Sequence, residues 1–140
     1  MNANARLVKE FLDKMSDHTI DKGLAASILR EYMADNFENF EPPQLPVGGV
    51  FRGWDASLRI IAIYNEHWHQ ECLKTEIFGD DNSNLVAAKG LWQWTSVETG
   101  RSHTGAAVEL FTVENGKIKA IEVFQFDPAA IVATLPGKWR

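Results

Sequence analysis

The chain has 140 residues, 45% of them hydrophobic and 24% charged, with a formal charge of −5 and a pI near 5.3. That balance suits one globular domain spanning 1–140 with its own core, and excludes disordered and collagen-like classes. The 14 Lys and Arg are scattered rather than blocked, no apolar run nears the ~20 residues that span a bilayer, and lone Cys72 cannot close an internal disulfide, so the expectation is a cytoplasmic protein with no nucleic-acid or membrane partner.

From Ala3 to Met15, Leu7, Val8, Phe11, Leu12 and Met15 recur at helical spacing with Arg6, Lys9, Glu10 and Asp13 mostly off the stripe, which predicts a first helix. Ser16-Asp17-His18-Thr19 is a polar break. Leu24, Ile28, Leu29, Tyr32 and Met33 then repeat the period and predict a second helix through roughly Ala34. Residues 36–53 hold three of the five prolines and end in glycines, which predicts a short strand, a loop and another short strand. Asp55 is placed to cap a third helix carrying Leu58, Ile61 and Ala62, ending near His67.

Beyond that point the period becomes alternating. Cys72 to Ile77, Leu85 to Thr95, His103 to Val113 and Lys117 to Phe126 read as four strands joined by short Gly-, Asp- and Asn-rich turns, hence an antiparallel meander. Asp127-Pro128 opens a short closing helix, with Asp127 as cap and Pro128 as first residue. Helices first and sheet afterwards indicate α+β, with the helices on one face of a curved antiparallel sheet.

The two strands flanking Asn115-Gly116 carry the chemistry. A two-residue loop sets Glu109 opposite Glu122; a three-residue loop, Glu114 to Gly116, sets Glu109 opposite Ile121 and avoids facing like charges, so it is the preferred register. It assigns Ala107, Glu109, Phe111, Ile121, Val123 and Gln125 to one face, and Val108, Leu110, Ile118, Ala120, Phe124 and Phe126 to the other. Both faces are apolar, so a second copy of the chain is expected to cover the outer one.

The order helix, helix, loop, helix, four strands resembles the nuclear transport factor 2-like superfamily, more narrowly its ketosteroid isomerase and SnoaL-like polyketide cyclase branch. The residues carrying the likeness are E-P-P-Q-L-P-V-G-G-V-F-R-G-W-D-A at 41–56, F-T-V-E-N-G-K-I at 111–118 and F-D-P-A-A at 126–130. The resemblance implies a cystatin-like cone of three helices on a curved sheet, enclosing an apolar cavity, and a homodimer through the outer sheet face. It makes Glu41, followed by Pro42, similar to the family's general base in the loop after helix two. Glu109 is similar to the acid held protonated in the oxyanion hole. Phe11 stands where the family's helix-one tyrosine would be, without its hydroxyl.

An ionisable group on an apolar face has its pKa raised by desolvation, so Glu109 is a candidate hydrogen-bond donor or proton shuttle; the plain alternative is a carboxylate at a wet rim or one satisfied by Gln125. His103 shares the Glu109 side of its strand by parity and is a second acid/base candidate. Asp127 is a helix cap first and, by likeness to the cyclases, a catalytic acid second. Trp92 and Trp94 share a face and, with Phe11, Tyr64, Phe111, Val123 and Gln125, form the candidate wall for a small hydrophobic ligand. His67 and His69 stand near Glu71 and Cys72, but the stretch straddles a helix end and no metal site is assigned. No phosphate-binding or dinucleotide motif occurs, and no cofactor is expected. The expected function is an isomerase, cyclase or dehydratase working by carboxylate acid/base chemistry on a hydrophobic carbonyl compound; the alternative is a non-catalytic ligand-binding or dimeric interaction module.

Overall fold

In the computed structural model, residues 1–16 and 22–139 are described. The break at Asp17-His18-Thr19 falls outside them. Helix α1 (Ala3–Met15) starts where Asn2 Oδ1 accepts from Ala5 N at 2.7 Å and stops where Ser16 Oγ donates to Leu12 O at 2.7 Å. Its stripe of Ala5, Val8 and Phe11 is buried against α2 (Lys22–Tyr32), which contributes Ala25, Ile28, Leu29 and Tyr32. The second helix is shorter at its end than the periodicity predicts. Met33, still in phase with the helix, instead opens strand β1 (Met33–Glu41), where its side chain is buried.

β1 is followed by the proline loop and β2 (Gly49–Arg52). Helix α3 (Trp54–His67) begins at Gly53, whose φ of 83° is open to glycine at little cost. Asp55 therefore lies in the first turn, where it complements the helix dipole, and does not cap. β3 (Trp68–Gly79) follows with no intervening loop, then β4 (Leu85–Ser96), β5 (Ser102–Glu114) and β6 (Lys117–Gln125). Helix α4 (Pro128–Val132) closes the chain, capped by Asp127 Oδ1 accepting from Ala130 N at 3.0 Å, and a 3-10 turn spans Gly137–Trp139.

The six strands form one curved, unclosed sheet in the order β2-β1-β6-β5-β4-β3, antiparallel except for the parallel pair β1/β6. The α+β cone expected from the sequence is the fold observed. The β5/β6 register is neither of the two considered. Asn115 (φ 51°) and Gly116 (φ 72°) make a two-residue turn with Glu114 facing Lys117, and an irregularity after the Val113/Ile118 pair then sets Glu109 opposite Val123 and Leu110 opposite Glu122. The outcome differs from the preferred register by two positions, an even slip, so the faces assigned to Glu109, Phe111, Ile121, Val123 and Gln125 stand. Ile118 is the exception: it lies on the turn side of the irregularity and is buried in the core rather than on the outer face.

Two packed clusters follow from these faces. One joins α1 and α2 to Phe37, Val86, Phe111, Val113, Ile118 and Ile121. The other, at the opposite end, packs Leu45 and Val47 of the proline loop and Ile131 and Leu135 around Trp68 and Trp94. Trp68 Nε1 donates to Thr134 Oγ1 at 2.8 Å, which fastens the C-terminal segment across that end.

Because Gly116 holds a left-handed conformation that a side chain disfavours, Gly116→Ala is expected to cost about 1 kcal/mol. Urea unfolding should show a lower midpoint with an unchanged slope; an unchanged midpoint would contradict the turn geometry.

Candidate active site

The sheet's concave face sets out its residues by parity. On β4 the inward positions are Val86, Ala88, Gly90, Trp92, Trp94 and Ser96, facing Phe111, Glu109, Ala107, Gly105 and His103 of β5 in the rows Val86/Phe111, Ala88/Glu109, Gly90/Ala107, Trp92/Gly105 and Trp94/His103. Small residues in the middle rows make the space. A Cβ on Gly90 would lie 2.5 Å from Trp92 Nε1, so the indole folds back over the glycine, and a Cβ on Gly105 would lie 2.6 Å from His103 Nε2, so the imidazole does likewise.

The result is a cavity of about 130 Å³ between α3, the end of β1 and the sheet, lined by Glu41, Tyr64, Gln70, Trp92, Trp94, Ala107, Glu109, Val123 and Gln125. Trp92 and Glu109 also border a cleft of about 20 Å³ beside Leu12, Ser16 and Cys72. Seven sequence-predicted residues therefore meet at one site: Glu41, Tyr64, Trp92, Trp94, Glu109, Val123 and Gln125. Four do not line it. Phe11 and Phe111 pack against each other in the core with ring centroids 6.4 Å apart, His103 lies over Gly105, and Asp127 caps α4. Gln70 is a lining residue that the sequence did not point to, and Ala107, placed on the Glu109 face by the hairpin register, lines the cavity as well.

Glu41 is the last residue of β1 rather than part of a loop, and alternation points it inward with Phe37 and Asn39. Both its oxygens are engaged: Tyr64 Oη donates to Oε2 at 2.8 Å, and Asn39 Nδ2 donates to Oε1 at 2.8 Å. Burial pushes the Glu41 carboxyl up from its ordinary range, and the two hydrogen bonds pull against that shift. Tyr64 is pushed well above the usual tyrosine range, by burial first and then by the charge of Glu41, so it stays a protonated donor.

Glu109 is half-buried on the same sheet face as Glu41, with Val123 of β6 between the two strands. Among the described residues no side chain or backbone group donates a hydrogen bond to its carboxyl. Burial and, secondly, the charge of Glu41 raise its pKa to about 7. The carboxyl can thus take up or release a proton near neutral pH, beside aromatic walls that suit a flat apolar molecule.

Two further polar atoms, Gln70 Nε2 and Trp94 Nε1, are fully buried with no acceptor among the described residues. They belong to directly opposed residues of β3 and β4. The histidines near Cys72 form no such site. His67 packs edge-on against Trp139 at 5.0 Å, and among the described residues no group of three His, Cys, Asp or Glu could hold a metal ion. Among those residues, too, no helix is long and apolar enough to cross a membrane.

No protein-family model and no curated protein matches the chain. Solved structures do. A nuclear transport factor 2-like protein of unknown function from Burkholderia pseudomallei K96243 superposes with a TM-score of 0.80 at 20% identity, over 98% of this chain and 100% of that one. A candidate SnoaL-like polyketide cyclase from Mesorhizobium loti is 25% identical with a TM-score of 0.63, over 89% and 99% of the two chains. A candidate isomerase from Bacillus subtilis is 18% identical with a TM-score of 0.74, over 98% and 96%. The chain has the nuclear transport factor 2-like fold, with SnoaL-like cyclases among its structural neighbours, as the loop and hairpin motifs imply.

The pKa of Glu109 also sets a pH dependence. Titrating at about 7 when folded and near 4.5 when unfolded, the carboxyl binds its proton more tightly in the native state, so its contribution is fully present below about pH 4.5 and is lost as pH rises through 7. Between about pH 4 and about pH 8 the wild type should therefore lose about 3 kcal/mol relative to Glu109→Gln. Parallel pH–stability curves for the two proteins would show that Glu109 titrates normally.

Proposed function

We propose that this nuclear transport factor 2-like domain is a cofactor-independent acid–base catalyst that moves a proton on a small, largely apolar carbonyl compound. The observation that supports it best is the carboxyl of Glu109, in the lining of an aromatic-walled cavity, without a hydrogen bond from the described residues and titrating near neutrality. Ionised, Glu109 takes a proton from the carbon beside the substrate carbonyl, and the released electron pair moves onto the carbonyl oxygen as an enolate. Protonated, it returns that proton to a different carbon. This is the step that isomerases share with cyclases and dehydratases, which differ in what the enolate does next.

Glu41 takes a different part from the one its likeness to the family base suggests. With one hydrogen bond on each oxygen it is held in place and stays the more readily ionised of the pair, so its charge keeps Glu109 poised. The two engaged oxygens also favour the second reading, a binding module in which the carboxylates only orient a ligand.

The two readings separate on proton exchange. With 3-cyclohexen-1-one as probe, deuterium uptake beside the carbonyl and formation of the conjugated enone should both fall by about a hundredfold or more in Glu109→Gln. The rate should rise with pH through a single step at about 7. Binding of the probe with no exchange above the variant's rate would leave only the binding module.

We propose further that a second copy of the chain covers the outer sheet face. Phe124, Leu91, Val108 and Leu110 lie there on β4, β5 and β6, with Phe124 54% exposed, which is costly for an isolated monomer. Lys89 and Glu122 on the same face supply both charge signs, as a two-fold contact between identical surfaces needs. Sedimentation at micromolar concentration should give twice the chain mass, and Phe124→Lys should give the monomer; a wild-type monomer would overturn the assignment.

A further inference from the structure

The cavity and the small cleft beside it meet at two residues, Trp92 and Glu109, which border both. The Gly90/Ala107 row marks where the division runs. These two residues are direct partners on β4 and β5, yet Ala107 borders only the cavity and Gly90 only the cleft. What lies over that row is the Trp92 indole, folded back along its own strand until its Nε1 occupies the place that a side chain at position 90 would need. Beyond it the cleft continues between the end of α1 and strands β3 and β4, past Cys72 to Thr75 and Ser16, which are exposed.

The two tryptophans of this wall are held differently. Trp94 is 3% exposed and gripped between Tyr64 and Trp68, with ring centroids 5.6 and 5.2 Å away, so it is a fixed surface. Trp92 is only half-buried, and its indole rests on a glycine. Its position decides how much room lies beside Glu109.

We propose that Trp92 is the residue that sets ligand size: its indole closes the cavity off from the cleft, so that the part of a ligand enclosed beside Glu109 is about one six-membered ring. A dry cavity of about 150 Å³ in another protein holds benzene, and this one measures about 130 Å³. A second fused ring has to stay outside the walls. Without the indole, the space runs on past Glu109 into the cleft, where Leu12 and Ala88 offer a second ring apolar contact. The proposal rests on the cavity taking a small apolar carbonyl compound, and not on any transfer of a proton.

Cyclohexanone and the fused two-ring ketone 2-tetralone test it, with affinities measured by calorimetry. Wild-type protein should bind the two within about threefold of each other, because the second ring gains little burial. Trp92→Ala should shift the preference towards 2-tetralone by about tenfold or more, as part of that ring becomes buried. The place of binding is read at Cys72, whose side chain borders the cleft. At ten times its Kd, 2-tetralone should slow alkylation of Cys72 by iodoacetamide about tenfold in Trp92→Ala, and in the wild type neither ketone should protect the thiol. An equal change in affinity for the two ketones, protection of Cys72 in the wild type, or no binding of cyclohexanone to the wild type would each overturn the proposal. Should Trp92→Ala fail to fold, Trp92→Leu, which keeps an apolar side chain and removes the indole, decides by the same preference. Loss of proton exchange alongside the shifted preference would count against the catalytic reading only; exchange with an unshifted preference would count against the role of Trp92 only.

Discussion

Two carboxyl groups share one partly buried cavity, where charge on both is penalised. Desolvation penalises each ion, and each charge penalises the other. The structure resolves the conflict unequally. Glu41 is given two donors, the Tyr64 hydroxyl and the Asn39 amide, whereas Glu109 is given none among the described residues and absorbs the penalty as a raised pKa. The two acids therefore differ in environment: the hydrogen bonds to Glu41 oppose the upward shift that burial imposes, and Glu109 has no such opposition.

That arrangement depends on backbone placement more than on the acids themselves. Glu41 faces inward because β1 alternates Phe37, Asn39, Glu41, which also delivers Asn39 to the same face as its partner. Tyr64 reaches the carboxylate because α3 starts at Gly53 and lies across the sheet, its Tyr64 ring packed on Trp68 and Trp94. Ala107, Gly90 and Gly105 remove side chains where the cavity has to be, and the reclining Trp92 and His103 occupy part of the room so gained. The cavity is a deliberate shortage of side-chain volume in the middle of the sheet, flanked by two well-packed clusters that hold its walls apart.

Much of this was legible from the sequence because strand parity is robust. The hairpin register was read two residues out, yet an even slip leaves every side chain beyond the irregularity on its own face, so the wall of Glu109, Val123 and Gln125 survived the error. Ile118 did not, since it lies between the turn and the irregularity. Gln70 was missed for a different reason. The chain passes from α3 into β3 at Trp68 with no glycine, proline or polar break, so periodicity alone gave the strand a start at Cys72 and left Gln70 outside it. Phe11 and Phe111 were assigned to the ligand wall from likeness and face, but a face says nothing about depth: both lie where α1 packs directly on the sheet.

The polarity of the cavity follows from the same geometry. Strands β3 and β4 are paired so that Gln70 meets Trp94, and the Tyr64 ring packs against the latter. Glu109 comes from β5, six residues along its strand from the His103 that faces Trp94. The pairings of Phe40 and Leu110 with Glu122 set Glu41, Val123 and Glu109 side by side on β1, β6 and β5, so burial of that row is felt by both acids, and the donors given to Glu41 oppose a shift that Glu109 takes in full.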